Sequence, residues 1–362
     1  MNRRAFSVPQ ALAAAVVLAR LARGRRRRPP LAAPPADRAP GVAVSVVIPA
    51  RDEELRLPGC LAPLLEDAGA REVIVVDDRS TDATAEVARG LGARVIAGAE
   101  LPPGWVGKPW ALHQGLQAAS GDVVVTLDAD TRPRPGLVRA LAHAVAAEPE
   151  RTLTSATARF DCRTAAERVL HPSLLATLAY RFGPLDAAGS PPRASRAVAN
   201  GQCLAVRRAA FLAEGGFAAA RDRMTDDVAL ARALRARGWR VAVHDAGDLL
   251  EVRMYESVAE TWREWGRSIA MPDVTAPGWQ AADVAVVWLA MALPLPRLLA
   301  GRGTALDRLL LAVRLALHAA LARAYSTRGP AFWLAPLADL PAAVRLTVSA
   351  VRPLRVWRGR TY

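Results

Sequence analysis

The sequence predicts an α/β fold, with a mostly parallel sheet flanked by helices, an N-terminal apolar segment and C-terminal membrane-associated helices. Two observations lead to it. Short β-branched runs alternate with helical stretches between residues 43 and 130, which is typical of a parallel sheet. The composition becomes apolar and arginine-rich towards both ends of the chain. These changes divide the chain into residues 1–40, 41–272 and 273–362.

The middle region supplies the elements of the sheet. The predicted elements are strand 43–48, helix 53–68, strand 72–76, helix 81–91, strand 94–96, helix 111–119, strand 122–127 and strand 240–243. Ligands of open α/β sheets bind beyond the carboxyl ends of the strands. Three of those ends carry acidic residues, in segments 49–53, 77–82 and 128–130. We therefore expect several carboxylates to converge on one edge of the sheet.

The overall charge restricts the partners. Lys and Arg total 48 against 34 Asp and Glu, which leaves a net charge of +14. Such an excess favours nucleic acid, an anionic membrane or phosphorylated substrates. The arginine run from Arg23 to Arg28 has no interleaved aromatic residues, so we expect no nucleic-acid partner. Cys60, Cys162 and Cys203 match neither a zinc spacing nor CxxC.

The N-terminal segment predicts a contact with the membrane. Ala5 to Ala19 is uncharged, and its 15 residues fall short of the roughly 20 that a bilayer span requires. A retained anchor or an interfacial helix is the prediction. A cleaved signal is the alternative, because Asn2 to Phe6 is similar to a twin-arginine signal, although arginines stand where a cleavage site would be expected.

The C-terminal third predicts a second membrane contact. Ala305 to Tyr325 has helical periodicity, with Asp307, Arg314 and His318 on one face and leucines opposite. A cationic polar side suits the membrane interface better than the hydrocarbon core. Two further apolar segments are interrupted by proline and charged residues. A helical cap on a soluble core is the alternative interpretation.

Motif spacing indicates a metal site. The chain has no GxGxxG after the first strand and no GxxxxGK[ST], which disfavours dinucleotide-binding and P-loop domains. Asp128 and Asp130 directly follow a buried strand. Two carboxylates in this position suit Mg²⁺ or Mn²⁺ that also holds substrate phosphates. Asp130 is the first choice of ligand, with Asp128 in support.

Six ordered motifs resemble those of family 2 glycosyltransferases with the GT-A fold. They are SVVIPARDEE at 45–54, VVDDRSTD at 75–82, GKPWAL at 107–112, LDAD at 127–130, NGQC at 200–203 and TDDVAL at 225–230. Within the family, residues 104–110 and 356–362 look most like hopanoid-associated and carotenoid glycosyltransferases of bacteria. The resemblance implies a GT-A domain at 41–272.

The chain departs from the family pattern at two places. Asp52 stands where the family often has Asn. The Gln-x-x-Arg-Trp motif of processive members is replaced by the segment from Trp262 to Arg267. This second departure favours transfer of a single sugar over polymer synthesis.

The resemblance also implies roles for individual residues. Asp227, with Asp226 beside it, would be the general base in the first turn of a helix, where the helix dipole favours a carboxylate. The resemblance also implies that Pro49, Arg51 and Glu53 line the nucleotide and that Asp78 bonds the uracil. Further candidates, taken from their positions in the sequence, are Lys108 for a phosphate or nucleotide contact, Trp265 and Arg267 for clamping the nucleotide or acceptor, and His244, at the end of strand 240–243, as a third metal ligand. Lys108 could instead be a solvated loop residue, Trp265 a packing residue and His244 a structural histidine.

The leading hypothesis is an inverting glycosyltransferase that moves one sugar from a nucleotide sugar, expected to be a UDP-sugar, to an apolar lipid. Its expected location is the cell membrane, with the catalytic domain facing the cytoplasm. A sugar-phosphate nucleotidyltransferase and a non-catalytic lipid-binding module are the two alternatives.

Overall fold

Strands and helices alternate through the first half of the chain, and helices predominate after residue 257. The computed structural model describes residues 3–35, 41–188, 193–352, 356–357 and 360–361. The strands are β1 (Val44–Ala50), β2 (Glu72–Asp77), β3 (Arg94–Ala97), β4 (Val123–Leu127), β5 (Thr131–Pro133), β6 (Thr152–Thr157), β7 (Arg159–Phe160), β8 (Cys203–Arg207), β9 (Arg240–Asp245), β10 (Leu250–Val252), β11 (Val356–Trp357) and β12 (Arg360–Thr361).

The helices follow the same chain order. They are α1 (Arg3–Ala22), α2 (Leu57–Leu65), α3 (Thr84–Gly90), α4 (Gly107–Ala118), α5 (Leu137–Ala147), α6 (Ala165–Phe182), α7 (Arg208–Ala213), α8 (Asp226–Ala236), α9 (Val258–Glu260), α10 (Gly266–Ser268), α11 (Pro277–Val287), α12 (Pro294–Leu299), α13 (Ala305–Leu321), α14 (Gly329–Trp333) and α15 (Asp339–Val351). A π-helical turn, Trp288–Ala292, joins α11 to α12.

A seven-stranded sheet has the order β3-β2-β1-β4-β8-β6-β9. β8 runs antiparallel to both of its neighbours, and the other pairs are parallel. The residues of β4 are all buried, as expected for a strand covered on both faces. α4 packs closely on this sheet because Gly115 has no side chain, and a Cβ there would lie 2.3 Å from Val47 Cγ1. The predicted mostly parallel α/β fold is confirmed.

Two helices begin at different residues from those predicted. α2 begins at Leu57 and not at residue 53, and residues 54–56 form a turn before it. α4 begins at Gly107, four residues before the predicted start, since the first turn of a helix tolerates Pro109. The earlier start brings Lys108 into that first turn.

The chain forms two compact units that are not contiguous in sequence. The sheet unit contains the described residues of 28–159, 193–254 and 356–361, and the helical unit contains those of 3–27, 160–188 and 255–352. The predicted boundaries at 40 and 272 differ from this division. α6 and residues 255–272 were predicted within the catalytic domain, but they pack in the helical unit.

The helical unit contains the predicted apolar segments. α1 covers the N-terminal segment and buries Ala13, Ala14 and Val17 in the core of this unit. Among the described residues, one helical stretch, Pro277–Leu299, is long and apolar enough to cross a membrane, with 23 residues and a mean hydropathy of 1.6. The apolar segment expected here from the sequence, Val284 to Leu295, is shorter, because the helical stretch continues on both sides of it.

The orientation predicted for the amphipathic helix α13 is wrong. Its polar residues Asp307, Arg314 and His318 are buried inside the helical unit. Leu309 and Leu315, on the same helix, are each 50% exposed. Helical periodicity grouped the three polar residues on one face, but it could not tell which face turns inwards.

Candidate active site

A tight turn after β4 presents the two acidic residues of the DxD motif. The Asp128 carbonyl accepts hydrogen bonds from Thr131 N–H at 3.1 Å and from Thr131 Oγ1 at 2.7 Å. Asp128 N–H donates to the Gln202 carbonyl, which fixes the turn against the segment before β8. Within the described part of the chain, the buried Asp130 Oδ1 has no hydrogen-bond partner. Burial raises the pKa of Asp130 to about 7, with the charges of Asp128 and Glu53 adding to the rise.

Lys108 connects this turn to the proposed catalytic pair. Its Nζ lies 2.7 Å from Asp128 Oδ1, and the side chain is one-fifth exposed. Although burial alone would lower the pKa of Lys108, the carboxylates of Asp128, Asp226 and Asp227 raise it above its ordinary value. The ammonium group therefore stays charged. The interpretation of Lys108 as a solvated loop residue is wrong.

Asp226 and Asp227 occupy the first turn of α8, as predicted. Asp227 Oδ2 accepts from Gly201 N–H at 2.8 Å, and Oδ1 accepts from Val228 N–H at 2.8 Å. Burial raises the pKa of Asp226 to about 7 against the opposing charge of Lys108, and burial also raises the pKa of Asp227. At neutral pH a carboxylate of this kind can accept a proton, as a general base must.

The ends of β1 and β2 form the predicted nucleotide side of the site. Pro49 and Ala50 pair in register with Val76 and Asp77 of β2. Arg51 Nη1 donates to the Asp78 carbonyl at 3.0 Å and lies 3.9 Å from Asp78 Oδ2. Asp78 is buried next to this guanidinium. The structure therefore brings the Arg51 and Asp78 side chains together, as convergence of parallel strand ends predicts.

Asp52 holds the loops after β1 and β2 together. It has a φ of +54°, the left-handed region that Asn and Asp tolerate better than most residues. Its Oδ1 accepts from Thr81 N–H at 2.7 Å and from Thr81 Oγ1 at 3.1 Å. Both features require a short side chain with an acceptor oxygen, which Asn also has. The departure from the family pattern at this position therefore preserves its local geometry.

The Asp128–Asp130 pair fits a divalent cation, with the remaining ligands coming from elsewhere. The unpartnered Asp130 Oδ1 and the second carboxylate are hard oxygen donors, which Mg²⁺ and Mn²⁺ prefer. Among the described residues, no group of three or more His, Cys, Asp and Glu side chains is arranged to hold a metal ion. Substrate phosphates and water would complete the coordination, as is usual for Mg²⁺.

His244 is not part of an assembled metal site with these two aspartates. It lies on β9, three strands from β4, and strands spaced about 4.8 Å apart put the two strands about 14 Å from each other. Burial lowers the pKa of His244, and the Arg28 charge lowers it further against the opposing effect of Glu148. The prediction of His244 as a third metal ligand is therefore not supported, and the structural interpretation fits better.

Trp265 and Arg267 belong to the helical unit. The Trp265 ring lies 4.3 Å from the His171 ring and 6.4 Å from the Phe160 ring, between centroids, and is 8% exposed. Trp265 therefore packs inside the helical unit, which agrees with its alternative interpretation as a packing residue. The Arg267 side chain lies outside the described residues.

Sequence reasoning missed the part that Gly201 plays. Its N–H holds Asp227, and a Cβ at this position would lie 2.9 Å from Asp227 Cβ. A backbone approach this close requires glycine. The motif at 200–203 marked the segment, but only the structure shows that it positions the carboxylate 26 residues later.

The sheet topology and the carboxylate cluster define a glycosyltransferase of the GT-A fold. The chain belongs to the family described as glycosyltransferase like family 2, whose model matches residues 40–269. Family membership confirms the predicted enzyme class. It rules out the alternatives of a nucleotidyltransferase and a non-catalytic lipid-binding module.

Two curated relatives are carotenoid-type enzymes. The chain is 42% identical over 90 residues to a 4,4'-diaponeurosporenoate glycosyltransferase of Staphylococcus haemolyticus, covering 24% of each chain. It is 28% identical over 253 residues to the Staphylococcus aureus protein of the same name, covering 68% of this chain and 66% of that protein. The matched parts thus span less than two thirds of these relatives' own length.

One solved structure supports the fold. A mannosyltransferase from Pyrobaculum calidifontis, in complex with GDP-Man and Mn²⁺, has a TM-score of 0.53 and 22% sequence identity, over 95% of this chain and 99% of that one. This similarity shows the GT-A fold.

Proposed function

We propose that this protein transfers a single sugar from a UDP-sugar to an apolar lipid at the cell membrane, with its sheet unit facing the cytoplasm. The observation that carries the proposal is the position of Lys108. Its ammonium group lies 2.7 Å from Asp128 of the DxD turn and interacts electrostatically with the Asp226–Asp227 pair. A donor diphosphate held at the turn would therefore lie close to a base that can act on an acceptor.

Different residues of the chain would perform the separate steps of the reaction. Asp227 takes the proton of an acceptor hydroxyl or carboxyl group, and the oxygen attacks the anomeric carbon as the bond to the diphosphate breaks. Two backbone N–H groups hold Asp227 in one orientation, which preorganises it for this step. Arg51 and Asp78 contact the nucleotide. Bound to Asp128 and Asp130, Mg²⁺ or Mn²⁺ would supply charge neutralisation for the departing diphosphate.

Two features support a lipid acceptor. The curated relatives are named for action on an apolar carotenoid acid, diaponeurosporenoate. The helical unit of this chain contains a stretch long enough to span a membrane. The arginine run that follows α1 agrees with a cytoplasmic location for the sheet unit, where nucleotide sugars are made.

The test is transfer by the purified protein in detergent. Labelled UDP-glucose with Mn²⁺ and an apolar lipid extract should give one new labelled lipid on thin-layer chromatography, carrying one sugar. GDP-mannose is the matched donor control. Asp130→Ala should reduce the transfer strongly, and its control variant is Glu86→Ala, at an exposed side chain of α3. Transfer from GDP-mannose alone would replace the donor assignment. A product with several sugars would contradict the single transfer.

A further inference from the structure

The helical unit buries charged residues together with its apolar core. Three aspartates, Asp283, Asp307 and Asp339, are at most 4% exposed within it. A soluble helix normally turns its charged face to water and its leucines inwards. On α13, Asp307, Arg314 and His318 are buried, whereas Leu309 and Leu315 are each 50% exposed.

Each buried aspartate pairs with an arginine from another helix. Asp339 of α15 lies 2.8 Å from Arg314 Nη2 of α13. Asp307 of α13 lies 3.2 Å from Arg297 Nε of α12, and Asp283 of α11 lies 3.2 Å from Arg20 Nη2 of α1. Charged residues within membrane-embedded helices typically face the bundle interior and pair with one another. These pairs therefore connect the helices as expected in a hydrocarbon environment.

The outward sides of three helices carry apolar residues at helical spacing. On α1, Val8, Leu12 and Val16 are exposed, one every four residues. The stripe on α15 has the same spacing and consists of Leu340, Val344 and Val348. Together with Leu309 and Leu315 of α13, these side chains are called the outer apolar face.

We propose that the outer apolar face contacts the acyl chains of a lipid membrane. This inference rests on the lipid-acceptor part of the proposed function and specifies the surface that meets the lipid. Charge complementarity favours lipid as the occupant: α1 leads directly into the exposed Arg25 and Arg26, which match anionic headgroups. The span-length stretch Pro277–Leu299 belongs to the same unit.

The binding test uses paired substitutions and vesicles of phosphatidylcholine with phosphatidylglycerol. Leu309→Gln with Leu315→Gln, and separately Leu340→Gln with Val344→Gln, should each lower vesicle binding in flotation by about tenfold or more, because apolar area no longer enters the membrane. The matched control is Leu65→Gln with Leu91→Gln, two exposed leucines of the sheet unit, which should bind like the wild type. Trp333, which is 53% exposed, gives a second readout. Vesicles with brominated acyl chains should quench part of the tryptophan fluorescence of the wild type, and this quenched part should be smaller in Trp333→Phe.

Folding and function are checked separately on the same proteins. Circular dichroism in detergent and Mn²⁺-dependent UDP binding should match the wild type, since the substitutions lie on the surface of the helical unit. Vesicle binding that is unchanged in both paired variants would overturn the inference, as would a soluble dimer that the same substitutions dissociate. If the variants lose vesicle binding as expected but the wild type transfers no sugar, the proposed function fails and the lipid contact stands.

Discussion

In the sheet unit, β1 and β4 bury apolar side chains while carboxylates gather at the strand ends. In the helical unit, three aspartates are buried against arginines, while some leucines and valines on the outward sides of α1, α13 and α15 are exposed. The carboxylates therefore have different roles in the two units. Acids at a sheet edge remain accessible to substrate, whereas acids between helices are paired and connect the bundle. The comparison teaches that the partner of a carboxylate, and not its burial alone, distinguishes a structural carboxylate from one that is available for catalysis.

The largest expected effect breaks a buried pair in the helical unit. Asp339→Ala leaves the Arg314 charge buried without its partner and should lower the free energy of unfolding by about 3–5 kcal/mol, measured by denaturation in detergent. The double change Asp339→Leu with Arg314→Met should recover much of this loss. Asp248→Ala, at a 72% exposed aspartate of the sheet unit, should cost less than about 1 kcal/mol. Equal losses in both units would contradict the contrast drawn between them.

In the sheet unit, the corresponding change should affect turnover and spare stability. Asp130→Ala removes one carboxylate of a two-carboxylate site and should reduce sugar transfer by about 10²–10³-fold, because stabilisation of the departing diphosphate is worth several kcal/mol. EDTA should inhibit the wild type to a similar extent, and Mn²⁺ should restore it. Full turnover in EDTA would show that no metal is needed.

A smaller effect distinguishes the two acids of α8. Asp227→Asn should lower kcat by about 10²-fold while UDP affinity is retained. An amide has one oxygen, so the variant can no longer accept from both Gly201 N–H and Val228 N–H, and its melting temperature must be compared with the wild type. Normal turnover in Asp227→Asn with an inactive Asp226→Asn would move the base by one residue.

Below the pKa of the general base, kcat/KM should change by about tenfold per pH unit. Burial raises the pKa of the proposed base Asp227 above 3.8, so kcat/KM should increase with pH until Asp227 is ionised and then level off. The pKa of Asp226 is raised from 3.8 to about 7. The folded state holds an extra proton between these values, so stability should decrease as pH rises from about 4 to 7. Asp226→Asn should flatten this stability profile. A wild-type profile that is already flat would contradict the raised pKa.

The smallest effect concerns the basic segment that follows α1 within the helical unit. Arg25→Gln should weaken binding to anionic vesicles about fivefold, from a contribution of about 1 kcal/mol. Arg89→Gln, an exposed arginine of the sheet unit, is the matched control and should have no effect. Raising the salt concentration should reduce the difference between Arg25→Gln and the wild type.

Much of the sheet unit could be predicted because local patterns determine it. Short buried strands and their acidic ends predicted the fold and the Asp128–Asp130 turn, and the resemblance to the family predicted Asp226 and Asp227 in the first turn of a helix. The Gly201 contact could not be predicted, since it joins segments far apart in sequence and depends on a backbone approach. The polarity of α13 could not be predicted either, because periodicity separates faces without indicating the surrounding solvent.

The interlocked loops after β1 and β2 have a consequence for engineering the donor preference. Asp52, Glu53 and Glu54 each bond residues in the segment 80–84, so neither loop keeps its shape alone. A chimera that takes residues 51–54 from another family member should also take residues 80–84 from that same protein, so that the two loops are exchanged together. Grafting one loop without the other would leave mismatched donors and acceptors where the nucleobase is expected to bind.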